Sequence, residues 1–133
     1  MKESISYRFT HKQVKYYFNA KFSALSKLSA KDRTVLITDE NIFSKHTAKF
    51  KGWNTIVLKP GEEYKIQATA DSIIEQLIAF QADRQFTLVG VGGGVVTDLT
   101  GYVASVYMRG IAFGFVPTTL LAMVDASIGG KNG

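Results

Sequence analysis

The sequence predicts an α/β fold, a mostly parallel sheet with helices on both faces. Three observations carry that reading. Short apolar runs of strand length recur along the chain. Segments with helical spacing lie between them. Glycine or proline closes the runs where a turn must follow.

Residues 14–18 (VKYYF) read as the first strand. Residues 20–29 follow with Phe22, Leu25 and Leu28 on one side of a helix. The run Thr34–Thr38 is a continuous apolar-type strand ending at Asp39, and residues 41–50 read as helix. Residues 54–58 form the next strand, closed by Pro60-Gly61. The strongest helical pattern covers 64–81, where Ile66, Ala70, Ile73, Ile74, Leu77 and Ile78 repeat as one buried face. Phe86–Val91 is a strand that Gly92-Gly93-Gly94 turns into a helix over about 95–107. Residues 111–116 make a further strand, followed by Pro117 and a short helix around 119–127. Strands alternating with helices in this way give a Rossmann-like sheet covered on both sides.

Composition sets bounds on function. The chain has 133 residues, 46% of them hydrophobic and 20% charged, which suits one compact domain. The absence of cysteine removes disulfides and thiolate metal sites and fits a cytoplasmic protein. The first residues lack the apolar core of a secretory signal. The apolar stretch 101–128 is broken by Arg109 and Pro117, which argues against a membrane span. The net charge is +5, with basic residues scattered through the first sixty. No recognition helix, zinc finger or RNP pattern accompanies that charge, so nucleic acid is not the expected partner, while a small anion is. Two isolated histidines, His11 and His46, offer no metal-ligand spacing, and both are expected at the surface.

Ligands of open α/β sheets bind beyond the carboxyl ends of the strands. Four polar motifs fall there: Asp39-Glu40-Asn41, Pro60–Lys65, Gly92–Gly94 and Pro117-Thr118-Thr119. Strand, triple glycine, then helix is a phosphate-binding geometry, because backbone N–H groups and the helix dipole face the same anion. A tight turn requiring positive φ is the competing reading. Residues 90–95 (GVGGGV) fail the GxGxxG fingerprint at its third glycine, and no Walker motif is present. Asp39 is placed to hold a ribose or simply to cap a helix. Asp98 is expected in the first turn of the following helix, where the dipole alone would favour it. Glu62 and Lys65 read as a surface ion pair or as ligand contacts, and Thr118 and Thr119 as a helix cap or as ligand contacts. In residues 86–133 only Asp98, Arg109, Asp125 and Lys131 are charged. Asp125 and Lys131 suit a structural pair or a substrate site. Arg109 suits a helix terminus or an anion.

Together, GGGVVTDLTGYVASVYMRG (92–110) and VPTTLLAMVDASIGGK (116–131) closely resemble the 3-dehydroquinate synthase family. PGEEYK (60–65) and the Asp39-x-Asn41 pair match the same family's pattern in order. The resemblance implies that residues 1–133 are an N-terminal NAD-binding domain, with a C-terminal helical domain that supplies a divalent metal, zinc or cobalt. It implies conversion of the sugar phosphate DAHP to 3-dehydroquinate and phosphate, by a homodimer. By the same resemblance, Asp39, Asn41, Gly61, Glu62, Lys65, Gly93, Gly94, Val95, Asp98, Thr118, Thr119 and Lys131 bind NAD. Asp125, Lys131 and Arg109 act on substrate, Arg109 from the partner subunit. Thr97 replaces the family's usual glycine and Asn132 its usual threonine. The chain stops just after GGK, as a fragment of a longer protein would. Other readings are a different sugar-phosphate cyclase, a polyol dehydrogenase, or a nucleotide-binding module without catalysis.

Overall fold

A computed structural model describes the backbone of residues 3–9 and 12–18, and Leu25 and residues 29–116 in full. Its first element was not expected. Glu3–Phe9 (β1) pairs antiparallel with Lys12–Phe18 (β2), Glu3 opposite Phe18, as a two-stranded sheet of its own. The strand expected at 14–18 is therefore one arm of a hairpin, not the first strand of the parallel sheet. The period-two run Ile5, Tyr7, Phe9 was the available signal. The helix expected at 20–29 lies outside the described residues except at Leu25 and Ser29. There the Ser29 N–H donates to the Leu25 carbonyl at 2.9 Å, a helical spacing.

The main sheet has four strands in the order β4-β3-β5-β6, all parallel. They are Thr34–Asp39 (β3), Asn54–Leu58 (β4), Thr87–Val91 (β5) and Ala112–Val116 (β6). β3 is central, and both of its faces are covered. Val35 and Ile37 pack into one core with Ile56, Leu88 and Val103, while Leu36 packs into another with Ile42, Phe50 and Val91. Burial on both sides is why β3 reads as an unbroken apolar run rather than an alternating one.

The helices divide between the faces as expected. Gln67–Ala79 (α3) and Gly94–Val106 (α4) cover the first core. Glu40–Lys45 (α1) and Thr47–Phe50 (α2) cover the second. The helix expected at 41–50 is thus two short ones, broken at His46, whose φ of −129° and ψ of 31° are not helical. The Thr47 hydroxyl donates to the Phe43 carbonyl at 2.6 Å, competing with the helix ladder at the break. His46 is half-buried there, not a purely surface residue.

α3 is shorter than its periodicity suggests. Glu62–Tyr64 is a single 3-10 turn, and Ile66 is the extended residue before the helix. Ala70, Ile73 and Leu77 are buried, but Ile66 and Ile78 are 51% and 62% exposed. A stripe of six apolar positions is wider than the contact that one sheet face and α4 provide. α3 ends in a left-handed residue, Gln81 (φ 60°). The Gln81 and Ala82 N–H groups donate to the Ile78 and Leu77 carbonyls, both at 2.9 Å. That is the double hydrogen bond of a Schellman terminus.

Close packing of α4 on β5 depends on Gly90, a glycine within the strand. A Cβ there would lie 2.7 Å from Thr100 Oγ1. Thr100 is fully buried and spends its hydroxyl on the Val96 carbonyl, 2.8 Å away. Among the described residues no helix is long and apolar enough to cross a membrane.

Candidate functional site

The carboxyl ends of β3, β4 and β5 meet at a cleft of about 150 Å³. Asp39, the Lys59-Pro60-Gly61 turn and Gly93-Gly94-Val95 line it. Three separate sequence motifs are thereby brought to one place. Thr38, just inside β3, fastens the rim: its buried hydroxyl donates to the Val91 carbonyl at 2.8 Å. Neither Thr38 nor Lys59 was singled out from sequence. A threonine next to Asp39 at the end of an apolar run is the signal for the first.

The three glycines do different jobs. Gly92 has φ of 152°, and a Cβ on it would meet Ile42 Cδ1 at 2.9 Å, so packing and conformation both demand glycine. Gly93 has an ordinary φ of −89°. Among the described residues nothing lies within 4 Å of a Cβ built on Gly93 or Gly94. The fold described here does not need glycine at these two positions. Space in front of them is what a ligand approaching the backbone would use. Gly93 is also the N-cap of α4 and supplies no side-chain cap. Among the described residues, the first-turn N–H groups of this 13-residue helix therefore border the cleft without a side-chain cap, an arrangement that attracts an anion.

Asp39 satisfies the modest reading and remains available to the other. Its Oδ1 accepts the Ile42 N–H at 2.9 Å, capping α1, while the residue lines the cleft. A carboxylate has acceptor capacity beyond one N–H. Asn41 lies exposed in the first turn of α1 and does not line that cleft.

Asp98 departs from expectation. α4 starts at Gly94, so its first turn holds no acidic residue and Asp98 falls in the second. The helix dipole is weak there. Instead Asp98 Oδ2 accepts from Lys65 Nζ at 3.1 Å, and Glu62 Oε1 lies 3.2 Å from the same ammonium. The Glu62–Lys65 ion pair expected from the sequence is present, joined by a third member 33 residues away. Lys65 is held charged above its usual range, first by the hydrogen bond to Asp98 and then by Glu62. All three side chains are more than a third exposed, so their pairing orders the 62–65 turn against α4 but adds little stability. Beyond them a groove of about 290 Å³ runs between the start of α3 and α4. Tyr102 lines it and donates to Gln67 Oε1 at 3.2 Å.

Arg109 does not join this group. α4 returns the chain from the carboxyl edge of the sheet to the amino edge, and 13 helical residues at 1.5 Å each span about 20 Å. Arg109 follows α4, just before β6, at the opposite edge from Gly93. It sits in the Tyr107–Arg109 turn, where Met108 and Arg109 have φ of 48° and 69° and Gly110 follows at 107°. Left-handed backbone costs a non-glycine residue roughly 1–2 kcal/mol. Arg109 is thus no simple helix terminus. The helix expected at 119–127, with Thr118, Thr119, Asp125 and Lys131, lies outside the described residues. Among the described residues no group of three or more His, Cys, Asp or Glu could hold a metal ion.

Comparison with known proteins agrees with the fold. Residues 55–133 match the family model of the 3-dehydroquinate synthase N-terminal region. A 3-dehydroquinate synthase of Campylobacter curvus is 42% identical over 132 residues, covering 95% of this chain and 38% of that protein. One from Pyrococcus abyssi is 58% identical over 78 residues, covering 59% of this chain and 24% of its own length. The chain therefore spans well under half of the curated relatives it matches. A crystal structure of 2-deoxy-scyllo-inosose synthase, complexed with carbaglucose-6-phosphate, NAD+ and Co2+, superposes with a TM-score of 0.71. It is 25% identical, over 87% of this chain and 35% of that one. With a matched model spanning more than half its length and a parallel sheet of the same architecture, the chain belongs to the 3-dehydroquinate synthase family, in its N-terminal region.

Proposed function

We propose that the protein carrying this domain is a 3-dehydroquinate synthase, and that the domain supplies its NAD site. One observation carries the proposal: the uncapped start of α4, with open space before Gly93 and Gly94, lies in one cleft with Asp39. The backbone N–H groups of Gly94 and Val95 take the dinucleotide pyrophosphate. Asp39 and Asn41 hold the adenosine side. Gly61, Glu62 and Lys65 border the ribose, with Asp98 fixing Lys65 from α4 toward the nicotinamide end. Thr118, Thr119 and Lys131 complete the cofactor contacts. Similarity to a synthase crystallised with NAD+ supports the choice of cofactor.

When bound, NAD would supply reversible hydride acceptance at the substrate carbinol. The residues of this chain orient the two partners for that exchange. Asp125 and Lys131 position DAHP, the lysine neutralising its anionic groups. Arg109, at the far edge of the sheet, serves the substrate phosphate of a second subunit in a homodimer. A divalent metal would be held by a C-terminal helical domain.

The test is calorimetric titration of the full-length protein with NAD, beside its Gly93→Asp variant. A carboxylate before the helix start should abolish measurable binding while the fold persists. Unaltered affinity in that variant would remove the pyrophosphate site. Structural similarity to 2-deoxy-scyllo-inosose synthase also favours a second reading, another sugar-phosphate cyclase. Phosphate release from DAHP, glucose 6-phosphate and sedoheptulose 7-phosphate, assayed side by side, separates the two.

A further inference from the structure

The turn that carries Arg109 is built more firmly than a reversal between helix and strand requires. Its backbone is fastened at both ends. The Gly110 N–H donates to the Tyr107 carbonyl at 2.7 Å, and the Ile111 N–H to the Ala104 carbonyl at 2.8 Å. Tyr107 is buried, and its hydroxyl donates at 2.8 Å to the carbonyl of Ala82, the residue that closes α3. Two helix termini are thus tied to one turn. Burial and the charge of Asp83 both hold the Tyr107 hydroxyl protonated, as a donor needs.

Inside this frame Met108 adopts the left-handed region, where glycine or asparagine is at home. Its side chain is 47% exposed, so burial does not explain its presence. The next residue, Arg109, is exposed and makes no side-chain hydrogen bond or ion pair among the described residues. A Cβ at position 108 leaves the chain few conformations within the fastened frame, whereas glycine would leave many.

We infer that Met108 is a positioning residue, restricting the left-handed turn so that Arg109 is aimed away from its own sheet, ready for a phosphate monoester brought by another subunit. This rests on the reading of Arg109 as a phosphate contact. The dianion comes from outside, because the domain's own cleft lies at the opposite edge of the sheet. A guanidinium held in one direction meets phosphate with less ordering left to do.

Steady-state kinetics on the full-length protein test this. Met108→Gly should raise KM for the phosphate substrate about fivefold, the effect of leaving one long side chain unordered. Its kcat should stay within about twofold, as for uniform binding loss. NAD affinity should not move, and the thermal midpoint should hold or rise, because glycine relieves the left-handed strain. Met108→Asn keeps a Cβ and tolerates this backbone, so it should restore KM. Met108→Gly should add nothing in an Arg109→Ala background. An unchanged KM in Met108→Gly, while Arg109→Ala raises it, overturns the inference. So does an equal penalty in both backgrounds. If Arg109→Ala itself leaves KM unaltered, the phosphate reading of Arg109 fails first, and the role of Met108 falls with it.

Discussion

The two ends of α4 solve opposite problems. At its start, Gly93 and Gly94 leave open space in front of the backbone among the described residues. At its finish, Met108 and Arg109 keep their side chains in a conformation that glycine would occupy more easily. One end is open and electrostatically unsatisfied, and the other is constrained and presents a cation. On the proposed reading, a single helix serves two sites about 20 Å apart, receiving at one edge of the sheet and donating at the other.

The sharpest way to break the contrast is at the receiving end. Gly94→Asp should lower NAD affinity at least about a hundredfold, because a carboxylate would occupy an anion site. Far-UV circular dichroism should be unchanged, since a Cβ at this position meets nothing within 4 Å among the described residues. Gly90→Ala tests the converse. Its Cβ would press on Thr100, and overpacking of this kind costs about 1–3 kcal/mol, read as a lower denaturation midpoint. If Gly90→Ala were harmless and Gly94→Asp unfolded the protein, the division between packing and access glycines would be reversed.

Asp39 allows a finer cut. Asp39→Ala should lose the cap of α1, about 1 kcal/mol, together with NAD affinity. Asp39→Asn should keep the cap and lose only affinity, as seen by calorimetry beside chemical denaturation. The smallest effect is expected at Lys65. Its raised pKa means its pairing contributes fully below the ordinary lysine value of 10.5 and fades only as pH climbs through the higher folded value. Stability should therefore show no Lys65-dependent change between about pH 6 and 9. Lys65→Met should leave the thermal midpoint in place while weakening NAD binding. A midpoint that fell sharply would make the Glu62–Lys65–Asp98 cluster structural.

Much of this was legible in one dimension. The four parallel strands, the helices on both faces and the gathering of Asp39, Gly61 and Gly93 follow from apolar periodicity and turn residues. These are local signals, and the topology of parallel sheets sends strand ends to one edge. Other features depended on contacts between distant residues. β1 was missed because its pairing partner decides whether an alternating run becomes a strand. Spacing alone assigns Asp98 to a helix dipole, whereas α4 begins at Gly94 and Lys65 lies within 3.1 Å of the carboxylate. Ile78 matched a buried stripe but lies outside the contact that the sheet offers.

The chain alone determined where it could bend and which faces were apolar, because those properties reside in single residues and their spacing. Tertiary structure decided what each special residue is for. Three adjacent glycines look alike in sequence, yet Gly92 is demanded by Ile42 and by its backbone, while Gly93 and Gly94 face open space. Arg109 belongs with Asp98 to the few charges of an apolar stretch, yet the helix between carries it to the other edge of the sheet. The physical reason is that spacing sets local geometry, whereas function depends on which remote groups share a volume.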